Sequence, residues 1–139
     1  MYVNIVHHRT CTYQIGYHIV FCTKYRYKML VGAVSEDLKR ILTNVSKEKG
    51  FDIREMAVGE DHVHLFITAP PHMSISSLVK WVKGISARHM FITRPGLKRK
   101  LYKGHLWNPS YYVGTVGEIS QSTVKRYIEN QKTSYRGHE

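Results

Sequence analysis

The chain is predicted to fold as an α+β domain: a four-stranded antiparallel sheet with two helices on one face, followed by a C-terminal helix. Three observations predict this class. Segments with strand-like alternation and segments with helical spacing follow one another in the order β-α-β-β-α-β-α. Two of the helices are amphipathic, and right-handed crossovers would place both on the same face of the sheet. This is the ferredoxin-like, or RRM-like, split β-α-β arrangement.

Length and composition fit one domain with a modest core. The chain has 139 residues, of which 42% are apolar and 22% are charged, and it contains no internal repeat. We therefore expect a single domain over residues 1–139, with its core at about 12–116 and the C-terminal helix at about 120–132.

The first strand is predicted over residues 12–23, which are rich in aromatic and β-branched side chains. Tyr17, Ile19 and Phe21 share one face of this strand, and His18 lies on the other. We expect His18 to be packed and hydrogen-bonded, and its face also allows a place near the two histidines described below.

The first helix is predicted to begin at Ser35, a good N-cap, and to end at Gly50 after a stripe of Leu and Ile residues at helical spacing. Residues 51–58 and 62–69 then read as two strands joined by a tight turn at Gly59-Glu60, which predicts a hairpin.

The second half of the chain repeats the helix-then-strand order. Ser74 is predicted to cap the second amphipathic helix. The basic segment 94–103 contains Pro and Gly and is predicted to be a loop, and residues 110–116 read as the fourth strand. Ser120 or Ser122 would cap the last helix.

Two histidines stand two residues apart in the third strand. His62 and His64 share a face, begin about 7 Å apart and can converge on one divalent ion. Val63, Leu65 and Ile67 point the other way, toward the predicted helices. The alternative is a pair of strand histidines that hydrogen-bond to neighbouring carbonyls.

The last helix places a tyrosine and a glutamine one turn apart, Tyr127 and Gln131. This side of the helix can be a docking stripe with polar residues at its edge. The alternative is a tyrosine nucleophile, since Lys125 and Arg126 beside it would stabilise a phenolate.

Charge is the unusual feature of the composition. The chain has 21 Lys and Arg against 10 Asp and Glu, a formal charge of +11 and a pI near 9.8. This excess of positive charge indicates a polyanionic partner, and nucleic acid is favoured over an anionic membrane. No basic amphipathic helix or apolar run of membrane-spanning length stands out. The candidate nucleic-acid contacts, which can also be merely solvated charges, are Lys24, Arg26, Lys80, Lys83, Arg88, Lys98, Arg99, Lys100, Lys103, Lys125 and Arg126.

Cys11 and Cys22 lack a C-x-x-C partner and are expected to be reduced thiols. The first residues have neither the cationic region nor the long apolar stretch of a signal peptide, so we expect a cytoplasmic protein.

The combined motifs resemble a known superfamily. They are Tyr17 to Arg26, Asp61-His62-Val63-His64, Lys83-Gly84, Trp107 to Val113, Thr115-Val116-Gly117 and Val124 to Gln131. Together they resemble the HUH superfamily of single-strand DNA nucleases. Within it, the chain is similar to the single-tyrosine transposases of bacterial and archaeal insertion sequences that move as single-stranded DNA.

The resemblance implies a role for each matching residue. Tyr127 would be the nucleophile that forms a 5′-phosphotyrosine, and His62, His64 and Gln131 would bind a divalent metal, Mg²⁺ or Mn²⁺. It also implies single-stranded DNA with a hairpin as the partner, and a homodimer whose active sites are completed in trans by the partner's tyrosine helix. Gly114 and Gly117 would be hinges before that helix.

Two other functions compete with this one. A host-adopted relative would use the same chemistry on repetitive palindromes outside a mobile element. A non-catalytic ferredoxin-like module would bind nucleic acid without cleaving it, although the chain has no Lys/Arg-Gly-aromatic motif of the RNA-binding type.

Overall fold

The computed structural model of the chain describes residues 6–7, 12–13, 15–115 and 126–131. Its main sheet is antiparallel and has the strand order β2-β3-β1-β4, where the strands are β1 (Gly16–Cys22), β2 (Asp52–Val58), β3 (His62–Thr68) and β4 (Tyr112–Thr115). This order confirms the ferredoxin-like prediction. The predicted first strand is divided, because Thr12–Tyr13 pairs instead with Val6–His7 in a separate small ladder.

The helices follow the predicted order, with one addition. They are α1 (Gly32–Lys49), α2 (Ile75–Val79, continued through a π-helical segment Lys80–Ile85 and then Ser86–Thr93) and α3 (Pro95–Lys100), with short 3-10 turns at Lys24–Arg26 and Tyr102–Gly104. Residues 126–129 are helical. None of the helices in these ranges combines the length and apolar character needed to cross a membrane.

The core lies between one face of the sheet and helices α1 and α2. Ile19 and Phe21 from β1 pair in register with Leu65 and Val63 from β3, and all four are fully buried. The helices cover them with Leu38, Ile41, Leu42, Val45, Leu78, Val79, Val82 and Met90. Burying one side chain of this size contributes about 1.5–3 kcal/mol, so this layer is the main source of stability.

The first helix begins earlier than predicted. Val31 is its N-cap and provides no side-chain cap, whereas the predicted cap, Ser35, is buried within the first turns. The reason is the preceding residue: Leu30 is buried in the core and its N–H donates to the Glu60 carbonyl at 2.8 Å, so the chain is already fixed on the sheet there. The predicted end is confirmed, since Gly50 closes the helix with a φ of 86°, which suits glycine.

The prediction of a loop over residues 94–103 was wrong. Pro95 occupies the start of α3, where its fixed φ suits a helix and its missing N–H has no partner to lose. Buried Leu97 and Leu101 anchor the segment to the core. In α2 the predicted cap is confirmed, because the Ser74 side chain accepts a hydrogen bond from the Ser77 N–H at 3.0 Å.

Strand β2 forms one edge of the sheet and pairs only with β3 within the described sheet. Its register shifts between Ile53 and Glu55, which marks a bulge. Arg54 and Glu55, at this irregularity, are exposed.

One ion pair joins α1 to the end of α2 across 57 positions of sequence. Arg94 Nε donates to Asp37 Oδ2 at 2.6 Å, and Arg40 Nη2 donates to the other carboxylate oxygen at 3.3 Å. The hydrogen bond from Arg94 lowers the pKa of Asp37 below its usual value.

Asp37→Asn should therefore lower the melting temperature at pH 7 and make unfolding less sensitive to acid. Because the folded pKa lies below the unfolded value of about 3.9, the stabilisation is complete above that pH and is lost as the pH falls through the folded pKa. Thermal melts between pH 7 and pH 2 should show the two curves converging in acid. Glu36→Gln on the same helix is the control, since Glu36 is exposed and its ion pair with Lys39, at 3.5 Å, is a weak surface contact. Parallel curves for wild type and Asp37→Asn would contradict the assignment.

Candidate active site

His62 and His64 lie on the face of β3 that turns away from α1 and α2. In register they stand opposite Cys22 and Val20 of β1, while Val63, Leu65 and Ile67 are fully buried on the helix side, as predicted. The sheet face that carries the histidines is not fully exposed to solvent. Val20 and Cys22 are fully buried, and Phe66 is 2% exposed. The two imidazoles, each partly exposed, therefore stand in an apolar setting that strengthens their polar contacts.

His62 is oriented by the residue that precedes it. Its Nδ1 lies 2.9 Å from Asp61 Oδ1, and Arg26 Nε donates to Asp61 Oδ2 at 2.9 Å. Burial favours a raised pKa for Asp61, but the hydrogen bonds from His62 and Arg26 outweigh it and hold the pKa below its usual value. A carboxylate only accepts hydrogen bonds, so Nδ1 of His62 carries the hydrogen, and the lone pair of Nε2 in the neutral ring is left for a metal ion or a hydrogen-bond donor.

A glycine leaves the space that the His62 ring occupies. A Cβ on Gly59 would stand 2.8 Å from both ring nitrogens of His62, which real Cβ atoms essentially never do. The Gly59 N–H also donates to the His62 carbonyl at 2.8 Å, which closes the β2-β3 hairpin that the sequence predicts. The hairpin turn therefore fixes both the backbone and the imidazole of His62.

His64 is oriented by a third histidine, His18 of β1. Its Nε2 lies 3.0 Å from His18 Nδ1, so one of these nitrogens carries a hydrogen and the other accepts it. Burial, together with the neighbouring imidazoles of His18 and His62, lowers the pKa of His64. Burial also lowers the pKa of His18, against the opposing effect of Glu55. His18 is thus hydrogen-bonded, as predicted, and it is a direct neighbour of the pair.

Tyr127 packs against β4 and the loop before it. Its ring lies 6.0 Å from the ring of Tyr112, and its hydroxyl is 3.2 Å from Ser110 Oγ. Ser110 Oγ also donates to Gln131 Oε1 at 3.2 Å, and Gln131 Nε2 donates to the Tyr127 carbonyl at 3.3 Å. Burial raises the pKa of Tyr127, with the Ser110 hydrogen bond acting in the opposite direction. The predicted caps Ser120 and Ser122, and Lys125, lie outside the described residues.

His64 and Tyr112, the residue against which Tyr127 packs, share a row of the sheet. Val20 pairs with His64 on one side and with Tyr112 on the other. Neighbouring strands lie about 4.8 Å apart, so His64 and Tyr112 are separated by two strand spacings, about 10 Å. Within the described ranges, Tyr127 and Gln131 make no hydrogen bond to His62 or His64 and are held by Ser110 instead.

The ring nitrogens of His62 and His64 provide only two ligands for a divalent ion, so a third protein ligand would have to be Gln131. No three His, Cys, Asp or Glu side chains cluster in a metal-binding arrangement in the part of the chain that the structure describes. His62 Nε2 and His64 Nδ1 are the ring nitrogens left free by the contacts above, and Gln131 Oε1 keeps a second lone pair. Two imidazoles and an amide oxygen with open positions fit a catalytic ion better than a closed structural zinc site.

Two of the predicted DNA contacts are engaged inside the protein. Arg26 is paired with Asp61, and Lys83 Nζ donates to three backbone carbonyls. Lys24 is partly exposed, with its ammonium 4.9 Å from the centre of the Tyr25 ring. The exposed candidates are Lys80, Arg88, Lys98, Arg99, Lys100, Lys103 and Arg126.

Four residues had no role in the site predicted from the sequence: Asp61, Gly59, Ser110 and Asn108. Asp61 precedes the first histidine directly, and such carboxylate partners of ligand histidines are common, so its position was a usable signal. Ser110 and Asn108 also make contacts across the fold, with Tyr127 and Lys83, that no local pattern encodes.

The chain is similar in sequence to known transposases. The family model described as "Transposase IS200 like" matches residues 11–131. The chain is 46% identical over 123 residues to the ISDra2 transposase TnpA of Deinococcus radiodurans, with 88% of each chain covered. It is 34% identical over 115 residues to the transposase for insertion sequence element IS200 of Salmonella typhimurium, covering 83% of this chain and 75% of that protein.

Two solved structures share the fold. One is the crystal structure of a protein assigned as a transposase in Deinococcus radiodurans R1, with a TM-score of 0.87 and 40% identity over 93% of this chain and 99% of that one. The other is a REP-associated tyrosine transposase bound to a REP hairpin, with a TM-score of 0.57 and 16% identity over 84% of this chain and 64% of that one. At that identity the second likeness concerns the fold alone.

Gly59→Ala should displace the His62 imidazole without unfolding the protein. The new Cβ would overlap the ring, while the backbone hydrogen bond to His62 is kept. Long-range ¹H–¹⁵N NMR of the histidine rings should show a single Nδ1-protonated form of His62 in the wild type and a mixture in the variant. Gly96→Ala is the control, because nothing lies within 4 Å of its Cβ. An unchanged His62 signal in Gly59→Ala would refute the steric argument.

Proposed function

Because the chain belongs to the family of IS200-like transposases, we propose that it cleaves and rejoins single-stranded DNA at the ends of an insertion sequence, with Tyr127 as the nucleophile. The observation that supports the proposal is the packing of Tyr127 against Tyr112, because Tyr112 lies on the same sheet row and face as His64. A nucleophile and a pair of oriented imidazoles then face the same side of one rigid scaffold, which catalysis by positioning requires.

The chemistry follows from the tyrosine. Its phenolic oxygen attacks the scissile phosphorus, the O–P bond to tyrosine forms, and the bond to the 3′ oxygen breaks, which gives a 5′-phosphotyrosine and a 3′-hydroxyl. The phenol loses its proton and the leaving oxygen gains one. Since the ester bond is exchanged rather than hydrolysed, a second 3′-hydroxyl can reverse the step and join new ends without ATP.

Burial raises the pKa of Tyr127, which makes its phenolate harder to form than that of a free tyrosine. Attack on phosphorus therefore needs a group that favours the phenolate at the moment of reaction. Arg126 is adjacent and exposed. A divalent ion, Mg²⁺ or Mn²⁺, held by His62, His64 and Gln131 would supply Lewis acid activation of the scissile phosphate.

Single-stranded DNA with a hairpin is the proposed substrate. The REP-associated protein with the same fold binds a REP hairpin. In this chain the exposed cations of α2 and α3, Lys80, Arg88, Lys98, Arg99 and Lys100, would contact phosphates, in keeping with the formal charge of +11. A host-adopted enzyme that cuts repetitive palindromes would use the same residues and differ only in the sequence it cleaves.

The deciding experiment mixes the protein with an end-labelled single strand that carries a hairpin and flanking sequence from its own element. With Mn²⁺ or Mg²⁺ a covalent protein–DNA adduct should appear on a denaturing gel, and a chelator or Tyr127→Phe should abolish it. Lys47→Met, a change at an exposed lysine in the last turn of α1, should leave adduct formation unchanged.

Binding of the same strand must be measured in parallel. Tyr127→Phe should bind it normally, because phosphate contacts dominate affinity. Normal binding with no adduct from the wild type in either metal would overturn the proposed reaction and favour a non-catalytic module. An adduct that persists in Tyr127→Phe would assign the nucleophile elsewhere.

The proposal includes a homodimer in which the tyrosine helix of one chain serves the histidine pair of the other. Two facts support it. Tyr127 and Gln131 make no hydrogen bond to the histidines of their own chain within the described ranges. Ten residues separate position 115 from position 126, and a chain of this length can reach about 35 Å.

A mixing experiment tests this arrangement. Tyr127→Phe and His64→Ala should each be inactive alone, since one lacks the nucleophile and the other a metal ligand, and each should still bind the hairpin strand. Mixed and allowed to exchange subunits, they should regain adduct formation, to at most about a quarter of the wild-type level for random pairing. A mixture as inactive as its components, with exchange shown by native mass spectrometry, would confine each site to one chain.

A further inference from the structure

The ammonium group of Lys83 donates all its hydrogen bonds to carbonyl groups of the protein itself. Its Nζ lies 2.7 Å from the Asn108 carbonyl, 3.1 Å from the Ser110 carbonyl and 3.2 Å from the Pro109 carbonyl. An ammonium group has three hydrogens, so these three acceptors use its full capacity. Partial burial lowers the pKa of Lys83 to about 8. A lysine in this state has no donor left for a DNA phosphate.

The three carbonyls belong to a loop that is held at several other points. The Asn108 N–H donates to the Cys22 carbonyl at 2.9 Å, and the Ser110 N–H donates to Asn108 Oδ1 at 3.2 Å. Trp107 Nε1 donates to Ser86 Oγ at 3.2 Å, and Ser86 Oγ donates to the Lys83 carbonyl at 3.0 Å. One turn of α2, from Lys83 to Ser86, therefore holds the loop at Trp107 and at residues 108–110.

The geometry of that helix turn is unusual. Lys83 lies in the π-helical segment Lys80–Ile85, which interrupts the α-helical hydrogen bonding of α2. Wider turns of this kind are rare and occur frequently at functional sites. Here the interruption coincides with the residue that reaches three carbonyls of another segment.

Ser110 connects this loop to Tyr127 and Gln131. Its Oγ is 3.2 Å from the Tyr127 hydroxyl and 3.2 Å from Gln131 Oε1. A serine hydroxyl has one hydrogen, and two oxygens that can only accept it lie within reach, Gln131 Oε1 at 3.2 Å and Asn108 Oδ1 at 3.3 Å. When Ser110 donates to either of them, the Tyr127 hydroxyl is the donor to Ser110.

We propose that Lys83 and Ser110 are positioning residues, with Lys83 fixing the 108–110 loop and Ser110 setting the places of Tyr127 and Gln131 on the sheet. The inference rests on the proposed function of Tyr127 as nucleophile. It replaces the phosphate-contact role that the sequence analysis assigned to Lys83. Ser110 lies in the loop that leads into β4, so it would receive the tyrosine helix of either chain of a dimer in the same way.

Lys83→Met separates the two roles. A positioning lysine predicts an adduct that forms about 10- to 100-fold more slowly at saturating DNA, since a displacement of about 1 Å can cost that much, with DNA affinity and its salt dependence unchanged. A phosphate contact predicts weaker binding and a salt slope lower by about one. Lys80→Met, on the exposed side of the same helix, should show the second pattern, and Lys47→Met should show neither.

A second readout does not depend on catalysis. In Lys83→Met the amide hydrogens of Asn108 and Ser110 should exchange faster with deuterium, because the loop loses the cation that gathers its carbonyls. In Lys47→Met their exchange should match the wild type. This comparison tests the role of Lys83 on the loop even if the wild type forms no adduct, an outcome that would overturn the proposed function instead.

Ser110→Ala tests the other link with little risk to folding, because Ser110 is exposed. It should slow adduct formation without changing DNA affinity, and Ser110→Thr, which keeps the hydroxyl, should restore most of the rate. Wild-type adduct rates in both Lys83→Met and Ser110→Ala would overturn the proposal. So would a rate loss in Ser110→Ala that threonine fails to rescue, or unchanged amide exchange in Lys83→Met.

Discussion

The pairing of β1 with β3 is the constraint on which the other features depend. Side chains alternate between the two faces of a strand, so a slip of one residue would turn His62 and His64 into the core and expose Val63 and Leu65. The buried pairs Ile19–Leu65 and Phe21–Val63 prevent that slip, because they already fill the layer beneath α1 and α2. The same register brings His18 next to His64 and aligns His64 with Tyr112 through Val20.

Each side of the candidate site is supported by a cation that a basic composition alone would place on the surface. Arg26 supports Asp61, which orients His62, and Lys83 supports the loop that carries Ser110. The cations behind the formal charge of +11 therefore fall into two groups: some are exposed and can contact a polyanion, and others make hydrogen bonds inside the protein. For Arg26 the geometry is also demanding, since Tyr25 and Arg26 have φ values of 56° and 55°, a conformation that non-glycine residues seldom adopt.

The parts of the fold that could be predicted from the sequence are those with a local signal. Alternation of apolar residues fixed which side of β3 carries the histidines, and Ser74 and Gly50 marked helix ends by their own chemistry. The start of α1 and the helix α3 could not be predicted this way, because buried Leu30, Leu97 and Leu101 decide them through the tertiary core. The partners of Arg26 and Lys83 lie 35 and at least 25 positions away, beyond the reach of any local pattern. The spacing of His62 and His64 and the cations beside Tyr127 made these residues candidates, the resemblance chose among the alternatives and added Gln131 as a ligand, and the contacts of Ser110 came only from the fold.

The bulge in β2 bears on how the protein behaves at high concentration. An edge strand with regular spacing and an apolar surface can add a strand from another molecule and start a fibril. In β2 the register shift after Ile53 interrupts the regular row of backbone groups, and exposed Arg54 and Glu55 place charges beside the irregularity. This edge therefore discourages indiscriminate addition of a strand from another molecule, although its backbone is not paired by a second strand within the described sheet.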